Sequence, residues 1–163
     1  MRFFYSLENL YSHLEKTGSI VRLMFFDFSS AFNIIQPHFL VQKRLNTKLP
    51  SSVISWIFDY LTSRRLQYVR LNGLLSSAIS TNAGTPQGTV LAPILLALYT
   101  ADCRSTDESC PLVKFADDTE LVGKISNDED ALYHKQTENI VSWCDKNYLY
   151  LNVSKTKEMC TDF

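Results

Sequence analysis

Two adjacent aspartates between two short β-like runs constrain the fold of this chain more than any other feature. The runs are Leu112–Phe115 and Glu120–Ile125, and Asp117-Asp118 lies between them. So short a connection predicts an antiparallel hairpin with both acids at its turn. Most Asp-Asp pairs are solvated turn residues, but adjacent carboxylates repel each other and a divalent cation can neutralise them. Mg²⁺ takes oxygen ligands of this kind.

A third carboxylate lies at the end of another predicted strand. Ile20–Phe28 is an apolar run of strand length, interrupted by Arg22 and Asp27. Burying a carboxylate without a partner costs several kcal/mol, so Asp27 requires a reason to be there. Carboxylates at neighbouring strand ends can hold two metal ions about 4 Å apart, which clamp the attacking and leaving oxygens of a phosphoryl transfer.

The other elements predict an α+β fold. Apolar residues at helical spacing predict helices at 5–16, 38–45, 51–61, 92–102 and 127–147. Asn127 is the predicted cap of the last helix. The dipeptide Asn72-Gly73 separates strand-like runs at 65–71 and 74–80 and favours a hairpin turn. Tyr148–Val153 reads as a further strand. A chain that mixes helices with strands and an antiparallel hairpin is typical of the α+β class.

Composition excludes several classes of protein. The 163 residues are 45% apolar and 20% charged, which indicates one ordered domain and excludes a disordered chain or a disulfide miniprotein. No stretch of 18 apolar residues predicts a membrane span, and no secretory signal begins the chain. We therefore expect an intracellular protein, nuclear or cytoplasmic, without a membrane partner. The four cysteines lack C-x-x-C spacing and predict reduced thiols: Cys103, Cys110, Cys144 and Cys160.

The charges are unevenly distributed. Residues 1–82 carry 9 basic and 4 acidic side chains, whereas residues 83–163 carry 7 basic and 13 acidic ones. This pattern fits a surface for phosphate chains beside a cation site, and it equally fits chance and solvated faces.

Four motifs occur in a fixed order along the chain. They are Phe26-Asp27-Phe28-Ser29-Ser30-Ala31-Phe32, Gly84–Pro93 with its Pro-Gln-Gly core, Phe115-Ala116-Asp117-Asp118, and Leu151–Lys157. This series resembles motifs A to D of the reverse transcriptase palm, and it is most similar to the LINE-type (non-LTR) retrotransposons of vertebrates. The resemblance runs from about Glu8 to Phe163. It implies a reverse-transcriptase-like palm, an antiparallel sheet packed on helices, as a single domain over residues 1–163.

The resemblance also implies the metal ligands. Asp27 and Asp117 match metal-binding aspartates, Asp118 completes the catalytic triad, and the carbonyl of Phe28 is a further ligand beside the bound nucleotide. The implied cofactor is a pair of Mg²⁺ ions, for which Mn²⁺ can substitute. Lys155 matches a lysine that protonates the departing pyrophosphate as general acid. Lys157 is the alternative for that role, and an ordinary solvated lysine is the other reading.

Further matches implied by the resemblance concern the substrates. Phe32 matches the aromatic residue that blocks the 2′-hydroxyl of a ribonucleotide, or else it is a core phenylalanine. Gln87 and Gly88 match the loop that binds the nucleotide near the template base. Three arginines, Arg64, Arg65 and Arg70, lie near the predicted hairpin, where they could contact template or primer phosphates. The implied partners are an RNA template, a DNA primer and deoxynucleoside triphosphates.

The sequence also departs from the family pattern. Asn33 stands where the family often has aspartate, and we expect little effect on the chemistry. Most of the fingers and the thumb are expected to be missing, so the chain looks like a palm truncated at both ends. The leading hypothesis is an RNA-directed DNA polymerase that uses two-metal nucleotidyl transfer to a primer 3′-hydroxyl. The alternative is an impaired or repurposed palm that binds nucleic acid or protein. A metal-dependent nuclease would leave Pro-Gln-Gly and Phe32 unexplained.

Overall fold

The chain folds into two compact units. The structure is a computed structural model that describes residues 2–43, 49–63 and 65–162. The first unit combines residues 1–29 with 103–163, and the second covers 30–102. The helices are α1 (Arg2–Leu14), α2 (Ala31–Ile34), α3 (Pro37–Gln42), α4 (Ser51–Thr62), α5 (Leu91–Tyr99) and α6 (Ala131–Lys146). The strands are β1 (Ser19–Phe26), β2 (Arg65–Gln67), β3 (Arg70–Leu71), β4 (Leu74–Leu75), β5 (Ile79–Thr81), β6 (Leu112–Phe115), β7 (Asp118–Ser126) and β8 (Lys157–Asp162).

The first unit is built on a four-stranded antiparallel sheet in the order β6-β7-β1-β8. The central strand β1 pairs with β7 from Ser19 to Phe26 and with β8 from Ile20 to Phe25. Strands β6 and β7 form the predicted hairpin, with Ala116 and Asp117 as its turn. The mixture of helices with an antiparallel sheet confirms the predicted α+β class.

Helix α6 packs against β7 and closes the core of this unit. Gly123 lies under the ring of Tyr133, so close that a Cβ atom there would overlap the ring. The buried apolar side chains of this unit include Leu121, Ile125, Ile140, Cys144 and Leu149. Burial raises the pKa of the Cys144 thiol to about 12, which keeps the thiol protonated. All four cysteines are free, as the sequence predicts.

The second unit packs helices beside two small hairpins. Its buried residues come mainly from α4 and α5 and include Ile54, Ile57, Leu61, Leu95, Leu96 and Tyr99. Strands β3 and β4 meet at Asn72-Gly73, where φ is 49° and 80° respectively. Two consecutive positive φ angles are what a type I′ hairpin turn requires, and the predicted turn is therefore confirmed. Strand β2 pairs with β5 outside it.

Two predicted elements are wrong. Tyr148–Val153 makes a single bridge, between Leu151 and Phe28, and the strand lies later, at β8. Tyr148 has φ of 57°, which ends α6 and breaks an extended run. The last helix begins at Ala131 with Asp130 as its cap, because the positive φ of Asn127 makes a turn instead.

Some predictions fall partly outside the described residues, namely Arg64 and the last two positions of the helix expected at 38–45. Within the described part of the chain, no helix combines the length and apolarity needed to cross a bilayer.

Candidate active site

The tip of the β6–β7 hairpin carries two of the predicted site residues. Asp117 lies in the turn, Asp118 begins β7, and both are exposed. Ala116 precedes them with φ of 54°. A left-handed backbone is unfavourable for alanine and costs about 1–3 kcal/mol when the surrounding structure enforces it. The pairing of Phe115 with Asp118 closes the hairpin around this residue.

Asp27 lies at the end of the neighbouring strand. The last register pair between β1 and β7 joins Phe26 to Thr119. Continued by one residue, this register sets Asp27 opposite Asp118. Opposed Cβ atoms in antiparallel strands are about 4.5–5.5 Å apart. The fold therefore brings the half-buried Asp27 to the same sheet end as the two exposed acids.

The segment after α6 fixes the backbone of Asp27. The Asn152 N–H donates to the Asp27 carbonyl at 2.8 Å, and the Asp27 N–H donates to Thr156 Oγ1 at 3.3 Å. Lys155 lies within this segment, where its N–H donates to the Asn152 carbonyl at 3.1 Å. The exposed Lys155 is thus carried by a turn that is hydrogen-bonded directly to the residue after β1.

Phe28 lies next to Asp27 and pairs with the same segment after α6. Its bridge with Leu151 is flanked by two hydrogen bonds, one from Ser29 N–H to the Tyr150 carbonyl at 2.8 Å and one between Asn152 and Asp27. In an antiparallel pair of this type, the opposed residues themselves exchange no hydrogen bond. The Phe28 carbonyl therefore points away from Leu151.

Two further charged residues share the face of Asp27, namely Glu120, which the sequence reasoning missed, and Lys157, the alternative to Lys155. Glu120 and Lys157 both lie opposite Phe25, on β7 and β8 respectively. Side chains two positions apart on a strand share a face, so Glu120 lies one step from Asp118. Partial burial raises the pKa of the Glu120 carboxyl. Its two-residue spacing from Asp118 was the available signal.

The oxygen atoms of these side chains are the type of ligand that a hard cation prefers. Mg²⁺ prefers carboxylate and carbonyl oxygens, and it usually keeps waters and substrate phosphates in its shell. The register brings Asp27 and Asp118 to this sheet end, and Asp117 lies beside them in the hairpin turn. Among the described residues, however, no three His, Cys, Asp or Glu side chains are gathered closely enough to hold an ion by themselves. The site fits an ion shared with substrate better than a closed protein cage.

Three of the four predicted nucleotide-binding residues, Phe32, Gln87 and Gly88, lie in the second unit, and Phe28 lies in the first. Phe32 lies on α2 and is half-buried. Its carbonyl accepts a hydrogen bond from the Thr85 N–H at 2.7 Å. Gln87 is exposed, and its Nε2 donates to Asn33 Oδ1 at 2.8 Å. Asparagine and aspartate both offer an acceptor oxygen at this position, and the small effect expected of Asn33 stays a prediction. Gly88 has φ of 79°, a conformation that favours glycine.

Solved structures with a similar fold are telomerases. A telomerase from Candida tropicalis, solved in complex with a TWJ fragment of telomeric RNA, aligns with a TM-score of 0.71. The alignment covers 98% of this chain and 29% of that chain at 12% identity. The apo enzyme truncated from its C-terminal domain gives 0.67, covering 99% and 34% at 14% identity. These matches confirm the predicted reverse-transcriptase-like fold.

Sequence comparison identifies the family. The family model for reverse transcriptase (RNA-dependent DNA polymerase) matches residues 3–163, and the chain belongs to that family. Two similar relatives from Drosophila melanogaster are the probable RNA-directed DNA polymerases from transposon X-element and transposon BS. They are 29% and 27% identical over 143 and 146 residues, which is 84% of this chain. The chain spans only 16% of each relative's length. The predicted likeness to retrotransposon reverse transcriptases is confirmed.

Proposed function

We propose that the chain is the palm of an RNA-directed DNA polymerase that extends a DNA primer on an RNA template. The observation that carries this proposal is the register of β1 and β7, which brings Asp27 to the sheet end that also carries Asp117 and Asp118. The family of the chain and the names of its two transposon relatives support the same activity. The reaction would take place inside the cell.

The proposed chemistry assigns each acid a part. Asp27, Asp117 and Asp118 would hold two Mg²⁺ ions, or Mn²⁺ in their place, with the Phe28 carbonyl as a further ligand. Bound ions of this kind stabilise the charge that develops on the reacting phosphate. The primer 3′-hydroxyl would release its proton to solvent as its oxygen forms a bond to the α-phosphorus of a deoxynucleoside triphosphate. The bond from that phosphorus to the bridging oxygen breaks, and Lys155 donates a proton to the departing pyrophosphate.

The proposal also assigns contacts to the bound nucleotide. Phe32 would exclude a 2′-hydroxyl, while Gln87 and Gly88 would contact the nucleotide near the template base. The hydrogen bond from Gln87 to Asn33 supports a shared role, because it ties Gln87 to the residue that follows Phe32.

The test is single-nucleotide addition to a labelled primer on matched RNA and DNA templates, with Mg²⁺ or Mn²⁺. We expect slow, metal-dependent addition on RNA that is lost in Asp117→Ala. Asp145→Ala is the matched control, because it removes an exposed acid of α6 and should leave addition unchanged. Addition that persists in Asp117→Ala would contradict the proposed site.

One alternative has an observation in its favour. The chain covers 16% of each transposon relative, so it could be a palm that folds and binds nucleic acid or protein without polymerising. Normal metal binding and RNA binding, together with no addition under any metal, would decide for that alternative.

A further inference from the structure

The Arg65 side chain forms hydrogen bonds with the backbone of a segment later in the same chain. Arg65 begins β2 and is half-buried. Its Nη1 donates to the Gly84 carbonyl at 2.7 Å, and its Nη2 donates to the Ala83 carbonyl at 2.9 Å and to Thr81 Oγ1 at 3.3 Å. The guanidinium therefore bridges two consecutive carbonyls, which can face one group here because Gly84 turns the chain with φ of 74°.

The opposite side of the same backbone is pressed against α2. Gly84 is buried, and a Cβ atom on it would lie 2.7 Å from the Asn33 carbonyl oxygen. The Gly84 N–H donates to the Ile35 carbonyl at 2.7 Å, and the Thr85 N–H donates to the Phe32 carbonyl at 2.7 Å. A segment held this closely cannot shift without moving either Arg65 or α2.

The segment at 83–85 leads directly to Gln87, whose amide is bonded to Asn33. We propose that Arg65 is a positioning residue, which holds this segment against α2 and thereby fixes Gln87 relative to Phe32 for selection of the nucleotide sugar. This role rests on the proposed polymerase function. Arg65 acts through the backbone of Ala83 and Gly84 and touches no reacting atom.

The geometry favours this role over the phosphate contact considered for Arg65 from the sequence. Three hydrogen bonds already engage its two terminal nitrogens. A guanidinium presents its donors in a rigid planar fork, whereas a lysine ammonium is a compact point charge that cannot bridge two fixed carbonyls equally well. Lysine would therefore preserve a phosphate contact but not the positioning. Arg70, on β3, is exposed and offers a matched loss of one charge.

The first measurement is amide hydrogen exchange of the full 163-residue chain. In Arg65→Lys and Arg65→Gln, we expect protection of the Gly84 and Thr85 amides to fall by about tenfold, as for loss of a hydrogen bond from a charged donor. Amides of β1 and β7 should keep their protection, which shows that the variants still fold. Arg70→Gln should leave every one of these amides unchanged. Wild-type protection at Gly84 and Thr85 in Arg65→Gln would overturn the proposal.

The second measurement compares binding of dCTP and CTP, which differ only at the 2′ position, to the chain with Mg²⁺, a template and a primer ended by a dideoxynucleotide. We expect the preference for dCTP to fall in Arg65→Lys as much as in Arg65→Gln. The salt dependence of primer–template binding should stay at the wild-type slope. Full rescue by lysine, or a slope lowered by about one, would instead assign Arg65 to a phosphate.

The hydrogen-exchange and nucleotide-binding measurements also distinguish failure of the proposed polymerase function from failure of the role proposed for Arg65. A wild-type chain that binds neither nucleotide would contradict the polymerase and with it the selection role. The exchange data would still decide whether Arg65 holds the segment. Intact nucleotide binding with unchanged exchange in the variants would overturn only the role of Arg65.

Discussion

Phe32 is the residue whose substitution tests sugar selection most directly. If its ring excludes the 2′-hydroxyl, Phe32→Val should admit ribonucleotides into the product of primer extension. Loss of a buried ring also destabilises a protein, by about 3–5 kcal/mol for a full truncation to alanine, so the unfolding curve is measured first. Phe58→Val is the control, because it shortens an exposed phenylalanine of the same unit. An unchanged sugar preference in a folded Phe32→Val would return Phe32 to a structural role.

Glu120 gives a pH-dependent prediction. Burial disfavours the charged form of the Glu120 carboxyl and therefore raises its folded-state pKa above the ordinary value of 4.5. The buried position is tolerated better when the carboxyl is protonated than when it is ionised. That stability advantage is lost as pH rises through the folded-state pKa. Glu120→Gln should therefore raise the free energy of unfolding at pH 7, by less than about 1 kcal/mol since the group is partly solvated. The gain should vanish at pH 4.

Urea denaturation at the two pH values measures this difference. Glu108→Gln is measured in parallel as a control, because it removes an exposed glutamate of the same unit. An equal gain at both pH values for Glu120→Gln would show that its burial carries no electrostatic cost.

At the scale of elements, the packing of α6 on β7 depends on a glycine, Gly123, which has no side chain to collide with Tyr133. Gly123→Ala would drive a Cβ atom into the Tyr133 ring. Overpacking of this kind costs about 1–3 kcal/mol. Chemical denaturation should show the loss in the single variant and much less of it when the same change is made in Tyr133→Leu. Losses that simply add in the double variant would contradict the contact.

The strands show what local pattern can and cannot predict. Strands β1, β6 and β7 follow from apolar runs, and the β3–β4 turn follows from Asn72-Gly73. Strand β8 was missed because its sequence, Lys-Glu-Met-Cys-Thr-Asp, has no apolar alternation and gains its order from pairing with a distant β1. The alternating Tyr148–Val153 segment reads as a strand, but the chain reverses at Tyr148.

The same distinction applies to the site. The position of Asp27, Asp117 and Asp118 at strand ends could be predicted, because charge at the end of an apolar run is noticeable in the sequence, whereas their role as metal ligands stays a prediction. Arg65 and Gly84 could not be assigned in this way, since their constraint is a contact between the 83–85 segment and α2 that no local spacing records.

At the scale of the whole molecule, we expect the isolated 163 residues to bind Mg²⁺ or Mn²⁺ and to polymerise far more slowly than a full-length relative. Correct positioning of reactants contributes about 7–11 kcal/mol to such reactions, and the chain covers 16% of each relative. Calorimetry should detect the metal in wild type and lose it in Asp117→Ala, with Asp145→Ala as control. Rapid, processive synthesis by this chain alone would contradict the expectation.

The order of strands in the first unit has a consequence for biosynthesis. Strand β1 leaves the ribosome before either of the strands that flank it, because β7 and β8 both lie much later in the sequence. Non-local pairing of this kind folds slowly and leaves apolar strand edges exposed in the meantime. Asp27 is therefore synthesised well before Asp117 and Asp118. A nascent chain that is interrupted before residue 118 carries Asp27 without the strand whose register sets it opposite Asp118.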